Sequence, residues 1–113
     1  MSDKIKFGIP EGDLEALISE LRKNPKVNEI VLFGSRAKGT FKNGSDIDIA
    51  LKGVRLNLND ILDATSEIEK LLLPYKLDLV IFNRIAEPAL IDHIKRVGIV
   101  LFKRDSQSSS LRP

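Results

Sequence analysis

Three short runs constrain this chain more than anything else in it: residues 29–33 (EIVLF), 46–51 (DIDIAL) and 77–82 (LDLVIF). They are dense in β-branched, leucine and aromatic side chains and bounded by glycine, proline or polar residues, the pattern of buried strands. Two of them contain aspartate. Aspartate is disfavoured inside a strand and costly to bury without a partner. Any fold for this chain must therefore bring Asp46, Asp48 and Asp78 to a place where their charge is satisfied or used. Alternation puts Asp46, Asp48 and Ala50 on one strand face and Ile47, Ile49 and Leu51 on the other.

Helical periodicity fills the intervals. Leu14, Leu17, Ile18 and Leu21 fall at i, i+3, i+4 and i+7, with Pro10 and Glu11 suited to a first turn and Asn24-Pro25 ending the helix. Leu58, Ile61, Leu62, Thr65, Ile68 and Leu72 mark a second helix, capped by Asn57 or Asn59 and closed by Pro74. Leu90, Ile91, Ile94 and Val97 mark a third, with Pro88 in its first turn and Gly98 past its end. Residues 99–102 suit a fourth short strand, and residues 1–9 read as a leader into the first helix. Strands alternating with helices predict an α/β (α+β) fold, and the short link between residues 33 and 46 allows a reversal of direction. The expectation is a small mixed sheet with helices packed on one face, with Leu17, Leu21, Val31, Phe33, Ile47, Ile49, Ile61, Ile68, Leu79, Ile81, Leu90 and Ile94 in the core.

At 113 residues the chain is long enough for one domain. We expect that domain to span residues 1–102, followed by a polar, serine-rich tail over 103–113 that is expected to be disordered. The tail holds Lys103, Arg104 and Arg112 against Asp105 alone, which accounts for the whole net charge of +2. The rest is neutral, which argues against direct nucleic-acid binding. There is no cysteine, so disulfides and thiolate metal sites are excluded. No run approaches the roughly 20 apolar residues of a membrane span, and residues 1–10 lack an apolar leader, so a cytoplasmic location is expected.

Between the first two runs lies Gly34-Ser35-Arg36-Ala37-Lys38-Gly39. A Gly-Ser turn opening a short helix offers N–H groups and a hydroxyl to an anion, and Arg36 and Lys38 add charge. The spacing is not that of a P-loop, because Gly39 is followed directly by Thr40 rather than by lysine. Three clustered carboxylates suit Mg2+, which takes hard oxygen ligands and shares itself with substrate phosphates. Other residues draw plainer readings. His93 is assigned a structural or surface role, having no second histidine to share a metal with. Tyr75 reads as a packing residue and Lys76 as a solvated one.

Taken together, Gly34-Ser35, ten intervening residues, Asp46-Ile47-Asp48, and a later strand aspartate resemble the nucleotidyltransferase superfamily that includes DNA polymerase beta. More closely, the segments resemble the minimal nucleotidyltransferases, often paired with a helical HEPN-domain protein. Lys38 departs from the arginine common there, keeping charge but not bidentate contact. The resemblance implies a nucleotidyltransferase fold. It implies two Mg2+ ions, with Mn2+ able to substitute, held by Asp46, Asp48 and Asp78 as catalytic and metal-binding residues. It implies that Gly34, Ser35, Arg36 and Lys38 bind a nucleoside triphosphate, ATP by preference. It further implies transfer of AMP to a hydroxyl of a HEPN ribonuclease, with this chain as the antitoxin of a toxin-antitoxin pair. The alternatives are an antitoxin acting by contact alone and, more remotely, a glycosyltransferase, in which Asp-x-Asp also binds a metal-nucleotide.

Overall fold

The structure, a computed structural model, describes residues 4–104. A two-stranded ribbon, β1 (Ile5–Lys6) with β2 (Ile9–Pro10), leads directly into α1 (Glu11–Leu21). Then follow β3 (Glu29–Phe33), α2 (Gly34–Lys38), β4 (Ile47–Lys52), α3 (Leu58–Glu69), β5 (Leu77–Ile81), a 3-10 turn at Phe82–Arg84, α4 (Pro88–Val97) and β6 (Ile99–Lys103). The main sheet has the order β5-β4-β3-β6. β3 runs antiparallel to both β4 and β6, while β4 and β5 run parallel, joined through α3. The sheet is mixed, as the short link after Phe33 requires.

The helices cover both faces of the sheet, not one as expected from the sequence. On the first face Ile30, Leu32, Ile47, Ile49 and Leu51 meet Leu14, Leu17 and Leu21 of α1 and Ile68 of α3. On the second, Val31, Phe33 and Ala50 meet Ile94 of α4, with Val80 and Leu90 at the margin. The reason is visible in β3, which is apolar at every position from Ile30 to Phe33. That unbroken pattern belongs to a central strand buried on both sides. The second face is also the face of Asp48, so α4 helps wall the candidate site.

α3 starts on a capping box, in which Asn57 Oδ1 accepts from the Asp60 N–H (3.2 Å) and Asp60 Oδ2 accepts from the Asn57 N–H (2.8 Å). Lys26 ties the same carboxylate to the loop before β3 at 2.8 Å. The apolar side chains of α3 are more widely spread than its contact with the core. Ile68 is buried, Ile61, Ala64 and Thr65 are half-buried, and Leu58 and Leu62 are exposed. Pro88 opens α4 and Gly98 follows its last turn.

The domain runs further than residue 102. β6 includes Lys103, and Arg104 donates to the carbonyls of Val27 and Arg22, both at 3.0 Å, locking the end of the sheet to the loop after α1. The remainder of the expected tail, residues 105–113, lies outside the described residues. So do residues 1–3 of the expected leader, whose later part forms the β1–β2 ribbon. None of the described helices is long and apolar enough to cross a membrane.

Candidate active site

The site forms where β3 leaves the sheet. Its pairing with β4 ends at Phe33–Asp48, and its pairing with β6 ends at Leu32–Ile99. The next residue, Gly34, turns the chain into α2 with a φ of +75°. Only glycine takes that conformation without strain. A second reason for glycine is space: a Cβ here would overlap the Asp48 carboxylate. The missing side chain lets Asp48 lie against the turn. Phe33, rather than Ser35, occupies the cap position of α2, and half-buried Ser35 is its second residue. The helix ends at Gly39 in the left-handed region, φ +84°.

Asp48 and Asp78 are register partners on the adjacent parallel strands β4 and β5. Neighbouring strands lie about 4.8 Å apart and register partners share a face, so the two carboxylates project side by side. Asp46 stands exposed just before β4, two residues from Asp48, near enough for its charge to act there. Asp78 is exposed and Asp48 is half-buried. Burial, then the charges of Asp78 and Asp46, push the Asp48 carboxyl above the usual carboxylate range, partly offset by His93 and Arg36. The structure thus brings the pair together, with Asp46 at its approach.

Among the described residues no three His, Cys, Asp or Glu side chains gather into a group that could hold a metal ion, so the expected triad does not converge as one cluster. The donor set nevertheless fits Mg2+, which keeps several waters and is held by one or two carboxylates plus substrate phosphates. A cation at Asp48 would relieve the like-charge repulsion there.

Arg36, expected among the nucleotide-binding residues, is turned away from this surface. It is 3% exposed. Its Nη1 donates to the Phe7 carbonyl at 2.8 Å, and Nη2 and Nε donate to the Ser45 carbonyl at 2.8 and 3.2 Å. The guanidinium lies 5.2 Å from the ring centroids of both Phe41 and Tyr75. It binds the β1–β2 ribbon, the residue preceding Asp46, and the segment leading to β5. Each of its three nitrogens donates to a backbone carbonyl, and what reaches the site is its charge. Lys38, in the last turn of α2, is exposed. Tyr75 does pack, as expected, and its face serves Arg36.

His93, given a structural or surface role from the sequence, has a structural one. His93 of α4 reaches across the second sheet face, and its Nε2 accepts the Gly34 N–H at 3.2 Å. Its ring meets Phe33 edge-on at 6.1 Å between centroids. A signal was available: His93 lies three residues after Leu90 and one before Ile94, on the edge of the buried stripe of α4. A cavity of about 500 Å3 lies elsewhere, lined by Leu17, Ile47, Ile68, Tyr75 and Leu77 on the first sheet face. The acidic pair lies outside that cavity, with Asp78 exposed and Asp48 half-buried.

The family described as polymerase beta, nucleotidyltransferase matches residues 15–107. No curated protein matches. Among solved structures, the chain is similar to a toxin-antitoxin with AMP-PNP at 29% identity and a TM-score of 0.66, covering 88% of this chain and 77% of that one. It is similar at 25% identity and a TM-score of 0.64 to a chain from the tri-AMPylated Shewanella oneidensis HEPN toxin in complex with MNT antitoxin, covering 88% and 76%. A chain of the toxin-antitoxin MntA-HepT matches at 25% identity and a TM-score of 0.63, covering 88% and 77%. With the family match spanning the sheet, the Gly34-Ser35 turn and both acidic strands, this chain belongs to the polymerase beta nucleotidyltransferase family.

Proposed function

We propose that the chain transfers AMP from ATP to a hydroxyl of a HEPN-domain partner and thereby acts as the antitoxin of that pair. The observation that carries the reading is the in-register pair Asp48 and Asp78 beside the Gly34-Ser35 turn. The similar complexes, one with AMP-PNP and one with a tri-AMPylated HEPN toxin, supply the donor and the acceptor class.

In this reading the Ser35 hydroxyl and exposed Lys38 bind the triphosphate. Asp46, Asp48 and Asp78 hold Mg2+, which when bound supplies positive charge to the transferring phosphoryl group. Asp78, the exposed member of the pair, accepts the proton of the attacking hydroxyl. The acceptor oxygen forms a bond to the α-phosphorus, the bond from that phosphorus to the bridging oxygen breaks, and pyrophosphate leaves. Arg36 acts from behind by holding Ser45, and so the start of β4, in place.

The reading is tested by thermal unfolding with Mg2+ alone, ATP alone and both. Stabilisation should be greatest with both, since a ligand that binds only the folded state raises its stability. Asp48→Asn should remove most of that gain. No stabilisation by Mg2+ and ATP together at millimolar concentration contradicts the site.

A further inference from the structure

Gly34 raises a question of backbone accounting. It sits one residue beyond the last β3–β4 pair and two beyond the last β3–β6 pair, so the sheet offers its N–H no acceptor. At the start of α2 it has no helical acceptor either. A half-buried N–H without a partner is costly. The acceptor is a side chain from 59 positions away, His93 Nε2 at 3.2 Å. The peptide it holds is the one that sets the +75° φ of Gly34, and that turn determines both where Ser35 points and whether Asp48 can lie against it.

We propose that His93 is a positioning residue for nucleotide transfer, fixing the Gly34-Ser35 turn, and through it Asp48, in the form that receives the triphosphate. This rests on the transferase reading above. The ring accepts at Nε2, and its edge-on packing against Phe33 fixes its direction. α4 is thereby more than a cover for the second sheet face: it carries a side chain that joins that face to the turn. The Gly34 N–H is consequently engaged by His93, which leaves the Ser35 N–H and hydroxyl as the phosphate donors of the Gly34-Ser35 pair.

Two substitutions separate positioning from packing. His93→Phe keeps an aromatic ring against Phe33 and removes the acceptor. His93→Gln removes the ring and places an amide oxygen at about the reach of Nε2. Two readouts are needed: amide hydrogen exchange at Gly34 by NMR in the ligand-free chain, and the affinity for AMP-PNP with Mg2+ by calorimetry. Phe should speed Gly34 exchange and weaken binding about tenfold, the worth of one hydrogen bond at a constrained turn. Gln should keep exchange slow and binding within about threefold of wild type. Unchanged Gly34 exchange in the Phe variant, or a Gln variant as weak in binding as Phe, overturns the proposal. A wild-type chain that binds no triphosphate overturns the transferase reading instead, and the exchange result at Gly34 still decides whether His93 holds the turn.

Discussion

Replacing Arg36 tests the largest change that the structure makes to expectation. Arg36→Ala removes three hydrogen bonds and leaves the Phe7 and Ser45 carbonyls without their donors. A hydrogen bond from a charged donor is worth about 1.5–3 kcal/mol, and each cation–π contact, with Phe41 and Tyr75, about 0.5–1 kcal/mol. Water entering the space left behind recovers part of this. A net loss of about 3–4 kcal/mol remains, against a total of roughly 5–15 kcal/mol for a domain of this size. In urea that corresponds to a fall in midpoint of roughly 2 M. Arg36→Lys keeps the charge but has neither the fork of donors nor the flat face, so it should fall between wild type and alanine. Urea unfolding followed by circular dichroism measures all three chains. An alanine variant within about 0.5 kcal/mol of wild type that nevertheless binds AMP-PNP poorly would refute the reasoning and return Arg36 to the phosphate site.

Two further outcomes follow from the same geometry. Gly34→Ala places a methyl group where the Asp48 carboxylate lies and forces alanine into the left-handed region, so it should cost at least ~1–2 kcal/mol in denaturant unfolding and remove the Mg2+-dependent thermal shift. Asp48→Asn should raise the melting temperature of the ligand-free chain at neutral pH. The folded state holds this carboxyl above its unfolded value, so stability is given up as pH rises through the folded-state pKa. In wild type the loss should appear on going from acid toward neutral pH, above the ordinary carboxylate value of about 3.9. In the Asn variant that part of the pH dependence should be absent, and a variant no more stable than wild type at neutral pH would contradict the assigned strain.

Much of this was legible in the sequence because the chemistry depends on local pattern. Strand alternation put Asp46 and Asp48 on one face, and a parallel neighbour with Asp78 at the same height completed the pair. The Asn57 cap, Pro88 at the head of α4 and Gly39 at the end of α2 could likewise be read from residue type. What could not be read was direction in three dimensions. Arg36 and Lys38 look equivalent on a short helix, yet one faces the Phe7 and Ser45 carbonyls and the other faces solvent. Which of them is buried depends on the β1–β2 ribbon, an element too short to announce itself. The structural role given to His93 holds, but its partner could not be read, being a backbone N–H 59 positions away. Placing helices on both faces required giving more weight to the unbroken apolar run of β3 than to the alternation of β4.

The most direct test of the account is the intact mass of a HEPN-domain partner after incubation with this chain, ATP and Mg2+. The account predicts one or more adenylyl units added to the partner, pyrophosphate released in equal number, and neither with Asp48→Asn. An unmodified partner, in a complex that forms equally well with wild type and Asp48→Asn, would contradict it and leave an antitoxin that acts by contact alone.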